Sequence, residues 1–105
     1  MDDQLRRPTF ASALFYKDPL AALQWLEKAF GFERLMVITD AQGKLVHSEM
    51  KFGDGFIMVG GEWADFIASP AAAGGRNTQS THVQLKDGID AHFERARAAG
   101  AVIVR

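Results

Sequence analysis

The feature that most constrains the fold is a helix pattern that occurs twice in the chain. The first copy runs from Asp18 to Gly31, and the second, 69 residues later at both ends, runs from Asp87 to Gly100. Asp can accept a hydrogen bond from a free N–H group in the first turn of a helix. Gly readily adopts the left-handed conformation that ends one. We therefore predict a helix in each copy, capped by its Asp and ended by its Gly, as an internal repeat.

Runs rich in apolar and aromatic residues surround the first helix and predict strands. One run precedes the helix at residues 9–17, and three follow it at 32–39, 45–52 and 56–60. The segments between the last three contain Asp and Gly in the arrangement typical of hairpin turns. The predicted fold class is therefore α+β, with the element order βαβββ.

The second copy is shorter than the first. A predicted strand at 81–86 and a helix at 89–99 follow a linker at 61–80, which is rich in small residues. Arg105 comes five residues after that helix pattern ends, so the two hairpin strands of the first copy have no counterparts. We expect a single domain, with a first module at 9–60, an incomplete second module at 81–105 and a loose arm before residue 9. A fragment whose cavity exists only in an assembly is the alternative.

Side-chain alternation separates the two faces of the predicted sheet. A two-residue turn at Asp54–Gly55 predicts one apolar face and one mixed face, whereas a three-residue turn would bring charge into the core. The apolar face would contain Val46, Met50, Phe52, Ile57 and Val59, and the mixed face His47, Glu49, Lys51, Phe56 and Met58. We also expect Arg34 to lie opposite Glu49 as a cross-strand ion pair. A bent sheet with such a mixed face makes a concave ligand pocket the expected site.

Composition excludes several classes of protein. Lys and Arg number 12 against 13 Asp and Glu, so the chain lacks the basic footprint of a nucleic-acid-binding protein. There is no Cys, which excludes disulfides, thiolate zinc sites and a Cys nucleophile. Neither a membrane-length apolar run nor a secretory signal is present, so we expect a cytoplasmic protein without nucleic-acid or membrane partners.

Three stretches carry a resemblance to a known family: LFYKDPLAALQWLEKAFGFE, HSEMKFGDGFIMVGGEW and DGIDAHFERARAAGA. Together with the βαβββ order and its repeat, they resemble the vicinal-oxygen-chelate superfamily, which contains glyoxalase I, bleomycin-resistance proteins and extradiol dioxygenases. The resemblance implies βαβββ modules whose sheets curl around a cavity. It also implies that some members use a metal in that cavity and that others bind small molecules there without one.

The metal-ligand positions implied by this resemblance lack most of the required side chains. Metal-dependent members carry His or Glu on the first strand of each module and a carboxylate or similar ligand on the fourth. In this chain those positions fall at Ala11 or Ala13, at Met58 and at His82, and the fourth lies beyond Arg105. Alanine has no ligand atom, and a thioether is a poor ligand for a hard divalent ion. We therefore expect no metal site and no cofactor.

The pocket candidates are His47, Glu49, Met58, Trp63 and His82. His47 and Glu49 share a face and could do acid–base chemistry, although a solvated sheet face paired with Arg34 is the alternative. Trp63 could equally pin the linker, and His82 could be a hydrogen-bonded strand residue. No catalytic residue is assigned. We expect a small-molecule-binding protein that forms a homodimer, with a metal-dependent glyoxalase-type lyase or extradiol-type dioxygenase as the alternative.

Overall fold

The computed structural model of this protein describes residues 7–104. Its elements are β1 (Ser12–Phe15), α1 (Pro19–Phe30), β2 (Glu33–Thr39), β3 (Leu45–Phe52), β4 (Gly55–Gly60) and α2 (Ile89–Ala98). They confirm the predicted βαβββ order and the second helix. Most of the predicted N-terminal arm, residues 1–6, lies outside the described residues, as does Arg105. No helix within 7–104 is long and apolar enough to cross a membrane.

The ends of α1 are formed as predicted. The side chain of Asp18 accepts a hydrogen bond from the backbone N–H of Ala21, with an N···O distance of 3.1 Å. Pro19 occupies the first turn, where its missing N–H costs nothing. Gly31 ends the helix with a φ of 82°, a left-handed conformation that other residues adopt at a cost.

The four strands form one sheet in the order β1-β4-β3-β2. β1 runs parallel to β4, and the other two neighbouring pairs are antiparallel. The helix α1 covers one face of this sheet, and the core lies between them. Its buried residues are Ala22, Leu23, Leu26, Phe32, Met50, Ile57 and Val59. The opposite face carries His47, Glu49 and Met58, which are partly buried.

The turn between β3 and β4 differs from the prediction by one position. Phe52 pairs with Gly55 and Met50 with Ile57, so the turn consists of Gly53 and Asp54. Gly53 has a φ of 58°, and a II′ turn requires glycine at this first position. The pairing is displaced by two residues from the predicted one, which leaves the assignment of side chains to the two faces unchanged.

Two irregularities in the pairing of β2 with β3 overturn two further expectations. Arg34 lies opposite Met50 instead of Glu49, and its Nε donates to Glu27 Oε2 of α1 at 3.0 Å. Near the other end of the pair, Val46 has no partner and its side chain is 63% exposed, while Leu45 is buried. An extra residue in one strand reverses the direction of the side chains beyond it.

The predicted strand at 81–86 does not form within the described part of the chain. Segment 81–86 has no strand to pair with there, and a lone extended segment is not a strand. The predicted cap of the second helix is also wrong, because Gly88 occupies the N-cap position with a φ of 73° and Asp87 makes no capping bond. In this position Gly supplies the left-handed conformation by which the chain enters the helix.

The helix α2 attaches to the C-terminal end of α1. Arg95 donates from Nε to the carbonyl of Lys28 at 2.9 Å and from Nη2 to the carbonyl of Glu27 at 3.0 Å. A guanidinium at a helix C-terminus satisfies free carbonyl groups and complements the helix dipole. His92 is partly buried and contacts the carbonyl of Phe30 through Nε2 at 3.1 Å. These contacts hold the second half of the chain against the first.

Candidate functional site

A groove of about 580 Å³ lies where β1 and β4 end, β3 begins and α1 starts. Its floor comes from strand residues on the face opposite the core, and its rim from the loops at this end of the sheet. The lining residues are Ala13, Phe15, Lys17–Leu20, Lys44–His47 and Met58–Trp63. The parallel strands β1 and β4 both end here. The segments that follow them therefore lie at the same end of the sheet and form the sides of the groove.

Three of the five pocket candidates line this groove: His47, Met58 and Trp63. Glu49 lies two residues further along β3 and does not itself line the groove. Its carboxylate contacts His47, which does. His82 does not belong to this group. It is exposed and lines two smaller grooves, of about 300 and 330 Å³, beside segment 80–84. The structure therefore brings four of the candidates together and separates the fifth from them.

The polar centre of this face is the carboxylate of Glu49. Its Oε1 accepts hydrogen bonds from Arg7 Nε at 3.1 Å and Arg7 Nη2 at 2.8 Å, and its Oε2 contacts His47 Nε2 at 3.0 Å. The side chain of Glu49 is only 15% exposed. Because two partners occupy its two oxygens, this carboxylate is held in one orientation.

This environment lowers the pKa of Glu49. The hydrogen bond from His47 is the largest cause, and the hydrogen bond and charge of Arg7 add to it, while partial burial opposes both. Hydrogen bonds to the ionised form favour that form. Glu49 is therefore a fixed negative charge, which suits it to orient His47 and does not suit it to act as a general acid.

A second carboxylate fixes the loop that forms the rim. Glu62 Oε2 accepts from the backbone N–H of Ser69 at 2.8 Å and from its hydroxyl at 2.7 Å. Lys17 Nζ lies 3.6 Å from the other oxygen. The hydrogen bonds from Ser69 and the charge of Lys17 lower the pKa of Glu62. The interaction ties the loop after β4 to the end of β1, which are the two sides of the groove.

Two aromatic side chains extend from that loop. Trp63 and Phe66 pack edge to face with ring centroids 5.5 Å apart, yet Trp63 is 67% and Phe66 80% exposed. Only Trp63 lines the groove. An indole held at the rim by an aromatic neighbour offers a flat apolar surface to a ligand. Trp63 was expected either to line a pocket or to pin the linker. Its position is compatible with both, since it lies in the linker and lines the groove.

Several residues of this site were not predicted from the sequence. Arg7 belongs to the segment expected to be a loose arm, and Phe15, Lys17, Lys44 and Glu62 were assigned no role. Two segments, residues 17–19 and 60–62, are adjacent only because β1 and β4 are neighbouring parallel strands. The position of Phe15 directly opposite Gly60 could have been found only by predicting that pairing.

The donor atoms at this site do not fit a metal ion. The family resemblance assigns one ligand position to Ala11 or Ala13 and another to Met58. Of these, Ala13 and Met58 are cross-strand partners in β1 and β4, and both line the groove. They bring a methyl group and a thioether together where hard ligands are needed. Within residues 7–104, no three His, Cys, Asp or Glu side chains are grouped so that they could hold a metal.

Comparison with known proteins places this fold in a family. The sequence model of the Glyoxalase/Bleomycin resistance protein/Dioxygenase superfamily matches residues 9–105. The chain therefore belongs to that superfamily. Among curated proteins compared with it, none is significantly similar.

Solved structures share the fold. TioX from Micromonospora sp. ML1 is 35% identical, with a TM-score of 0.68, over 93% of this chain and 75% of that one. An integron cassette protein from the mobile metagenome of V. cholerae is 14% identical, with a TM-score of 0.54, over 96% of this chain and 75% of the other. A cassette protein from V. pseudocholerae is also 14% identical, with a TM-score of 0.56, over 96% and 74% of the two chains. At 14% identity, the last two comparisons bear on the fold alone.

Proposed function

We propose that this protein binds a small organic molecule in the groove at the end of its sheet, without a metal ion. The observation that carries the proposal is the groove itself, whose volume of about 580 Å³ falls within the roughly 300–1,000 Å³ usual for small-molecule sites. Apart from His47, the strand residues that line it are apolar, and a few polar groups lie on the surrounding loops. That combination is typical of sites that bury a ligand and orient it by a small number of contacts.

The metal-free part of the proposal rests on Ala13 and Met58. They are cross-strand partners, and the family resemblance gives Met58 and either Ala13 or Ala11 as positions where a metal-dependent member would carry ligands. A ligand in this protein therefore meets a methyl and a thioether there. Sulfur is polarisable and packs well against aromatic rings, so Met58 suits a ligand with a flat apolar surface.

The rim supports the same ligand shape. Phe15 and Trp63 bring aromatic side chains to the groove, and Gly60 and Gly61 leave its wall open between them. A side-chain carbon added at Gly60 would lie 3.7 Å from the ring of Phe15, in ordinary van der Waals contact. The space beside that ring is thus available to a ligand atom.

A metal-dependent glyoxalase-type lyase or extradiol-type dioxygenase is the alternative function, and superfamily membership is compatible with both. Either activity needs a metal held by several hard ligands. The two proposals differ in one measurable property, because an enzyme of the alternative type would retain a divalent ion at this groove.

The proposal is tested by chemical-shift mapping of the isotope-labelled protein with a set of aromatic fragments. We expect shifts at two or more of His47, Met58 and Trp63. Trp63→Ala should weaken binding about three- to tenfold, the usual worth of an aromatic pair. Phe66→Ala is the matched control, since it removes a neighbouring exposed ring that does not line the groove. Shifts confined to the helices, with the sheet silent, would refute the proposal.

A further inference from the structure

The neighbours of His47 determine which of its ring nitrogens carries the proton. Glu49 is ionised, because Arg7 donates twice to one of its oxygens. An ionised carboxylate can only accept hydrogen bonds, so the contact between His47 Nε2 and Glu49 Oε2 requires a proton on Nε2. When the imidazole carries this single proton, its Nδ1 is an acceptor with a free lone pair.

Among residues 7–104, no hydrogen bond involves Nδ1 of His47, and His47 is one of the residues that line the groove. Its carboxylate partner is 15% exposed and is itself held by Arg7, so the contact gives the ring a defined orientation. An oriented acceptor on a ligand-sized groove is the kind of group that selects ligands by a hydrogen bond.

We propose that the groove selects planar aromatic molecules that carry a hydroxyl group, and that the hydroxyl donates a hydrogen bond to Nδ1 of His47. This inference rests on the proposed binding function and names the ligand class for it. Trp63 and Phe15 supply the surface for the aromatic ring. Lys44 also lines the groove.

The same arrangement disfavours close relatives of such a ligand. A methyl ether has the shape of the hydroxyl compound but no proton to donate, so it leaves Nδ1 unpaired after water has been displaced. A carboxylate would place an acceptor against the lone pair of Nδ1, with the negative charge of Glu49 directly behind the ring. Selectivity therefore comes from Nδ1 of His47, which accepts a hydrogen bond. Glu49 keeps it an acceptor by holding the ring proton on Nε2.

Glu49 and Arg7 are positioning residues in this scheme. Glu49 fixes the tautomer of His47, and Arg7 keeps Glu49 ionised. In Glu49→Gln the new amide can donate to Nε2, which would move the proton of the ring to Nδ1 and turn the acceptor into a donor. We expect that variant to bind the hydroxyl compound and the ether with similar affinity, because the oxygen of either can accept a hydrogen bond from Nδ1–H. A merely structural role of Glu49 would instead weaken the binding of both compounds alike.

The experiment compares 2-naphthol with 2-methoxynaphthalene, two flat molecules that differ in the donor. Each is titrated into the intact chain, and its dissociation constant and the location of its binding are followed by NMR chemical shifts. We expect 2-naphthol to bind about three- to tenfold more tightly, the worth of one net hydrogen bond. In His47→Phe this preference should disappear, while in His82→Phe, a matched change outside the groove, it should remain.

The outcomes separate this inference from the binding function on which it rests. If both compounds bind in the groove of the unmodified protein with equal affinity, the hydroxyl selectivity is refuted and the binding site stands. A preference that survives in His47→Phe also refutes it. If neither compound shifts the groove residues, the groove is not a site for aromatic molecules, and both proposals fail. The comparison in the unmodified protein does not depend on whether a variant folds.

Discussion

Met50 offers the sharpest test of how the sheet is built. Its side chain is completely buried between β3 and α1, beside Leu23 and Ile57. Met58 lies on the neighbouring strand β4 and on the opposite face, where it is only partly buried and lines the groove. The substitutions Met50→Ala and Met58→Ala therefore remove the same atoms from two faces of one sheet.

The expected cost differs because the surroundings differ. Fully burying a Met side chain is worth about 1.5–3 kcal/mol, and the cavity left by its removal brings the total for Met→Ala in a core to about 2–5 kcal/mol. The neighbours of Met50 are held by a helix and a sheet and can collapse only partly, so we expect a loss of about 3 kcal/mol. Met58 already faces an open groove, and we expect a loss below about 1.5 kcal/mol.

Urea denaturation followed by circular dichroism measures both losses. A domain of this size has a free energy of unfolding of roughly 5–15 kcal/mol, so a difference of about 1.5 kcal/mol between the variants is resolved. Equal losses, or a larger loss for Met58→Ala, would show that the apolar and groove faces have been assigned the wrong way round. Unchanged m-values in both variants serve as the control that the comparison concerns stability alone.

Three further predictions concern metal, assembly and acid. Elemental analysis after mild dialysis should find no stoichiometric zinc, nickel or iron, and one tightly held ion per chain, lost in His82→Ala, would contradict this. We expect the 105-residue chain to self-associate through exposed apolar residues of its second half, among them Ile89, Val102 and Val104. Light scattering over a concentration series tests this, and a well-folded monomer at high micromolar concentration would refute it. Finally, the pKa of Glu49 is lower in the folded protein than its ordinary value of 4.5, so the unfolded chain binds more protons in acid. The stability that this group contributes should be present above about pH 4.5 and lost as the pH falls below it, and Glu49→Gln should flatten that dependence.

The first helix and the division of the sheet into faces could be predicted because both depend on neighbours in the sequence. Asp18 caps α1 within three residues, and Gly31 ends it through its own backbone freedom. Met50 and Val59 were assigned to the buried face from alternation alone, and the assignment survived an error in the turn. A displacement of two residues preserves a period of two.

Predictions failed where a distant element decides the outcome. Nothing near residues 81–86 shows whether another strand will pair with them, and in the described chain none does. The ion pair expected between Arg34 and Glu49 was lost for a similar reason. The irregular pairing of β2 moved Arg34 toward Glu27 on α1, and Arg7, 42 residues away in sequence from Glu49, took its place.

Local periodicity and short motifs encode the βαβββ order, the ends of α1, the buried face and the superfamily resemblance, so all four could be predicted. The tertiary structure alone decided the site. It placed Ala13 opposite Met58 and Lys17 next to Glu62. It also joined Arg7, Glu49 and His47 by hydrogen bonds. The physical reason is that a parallel pairing such as that of β1 with β4 joins residues about 45 positions apart, and no local pattern specifies which of them will meet.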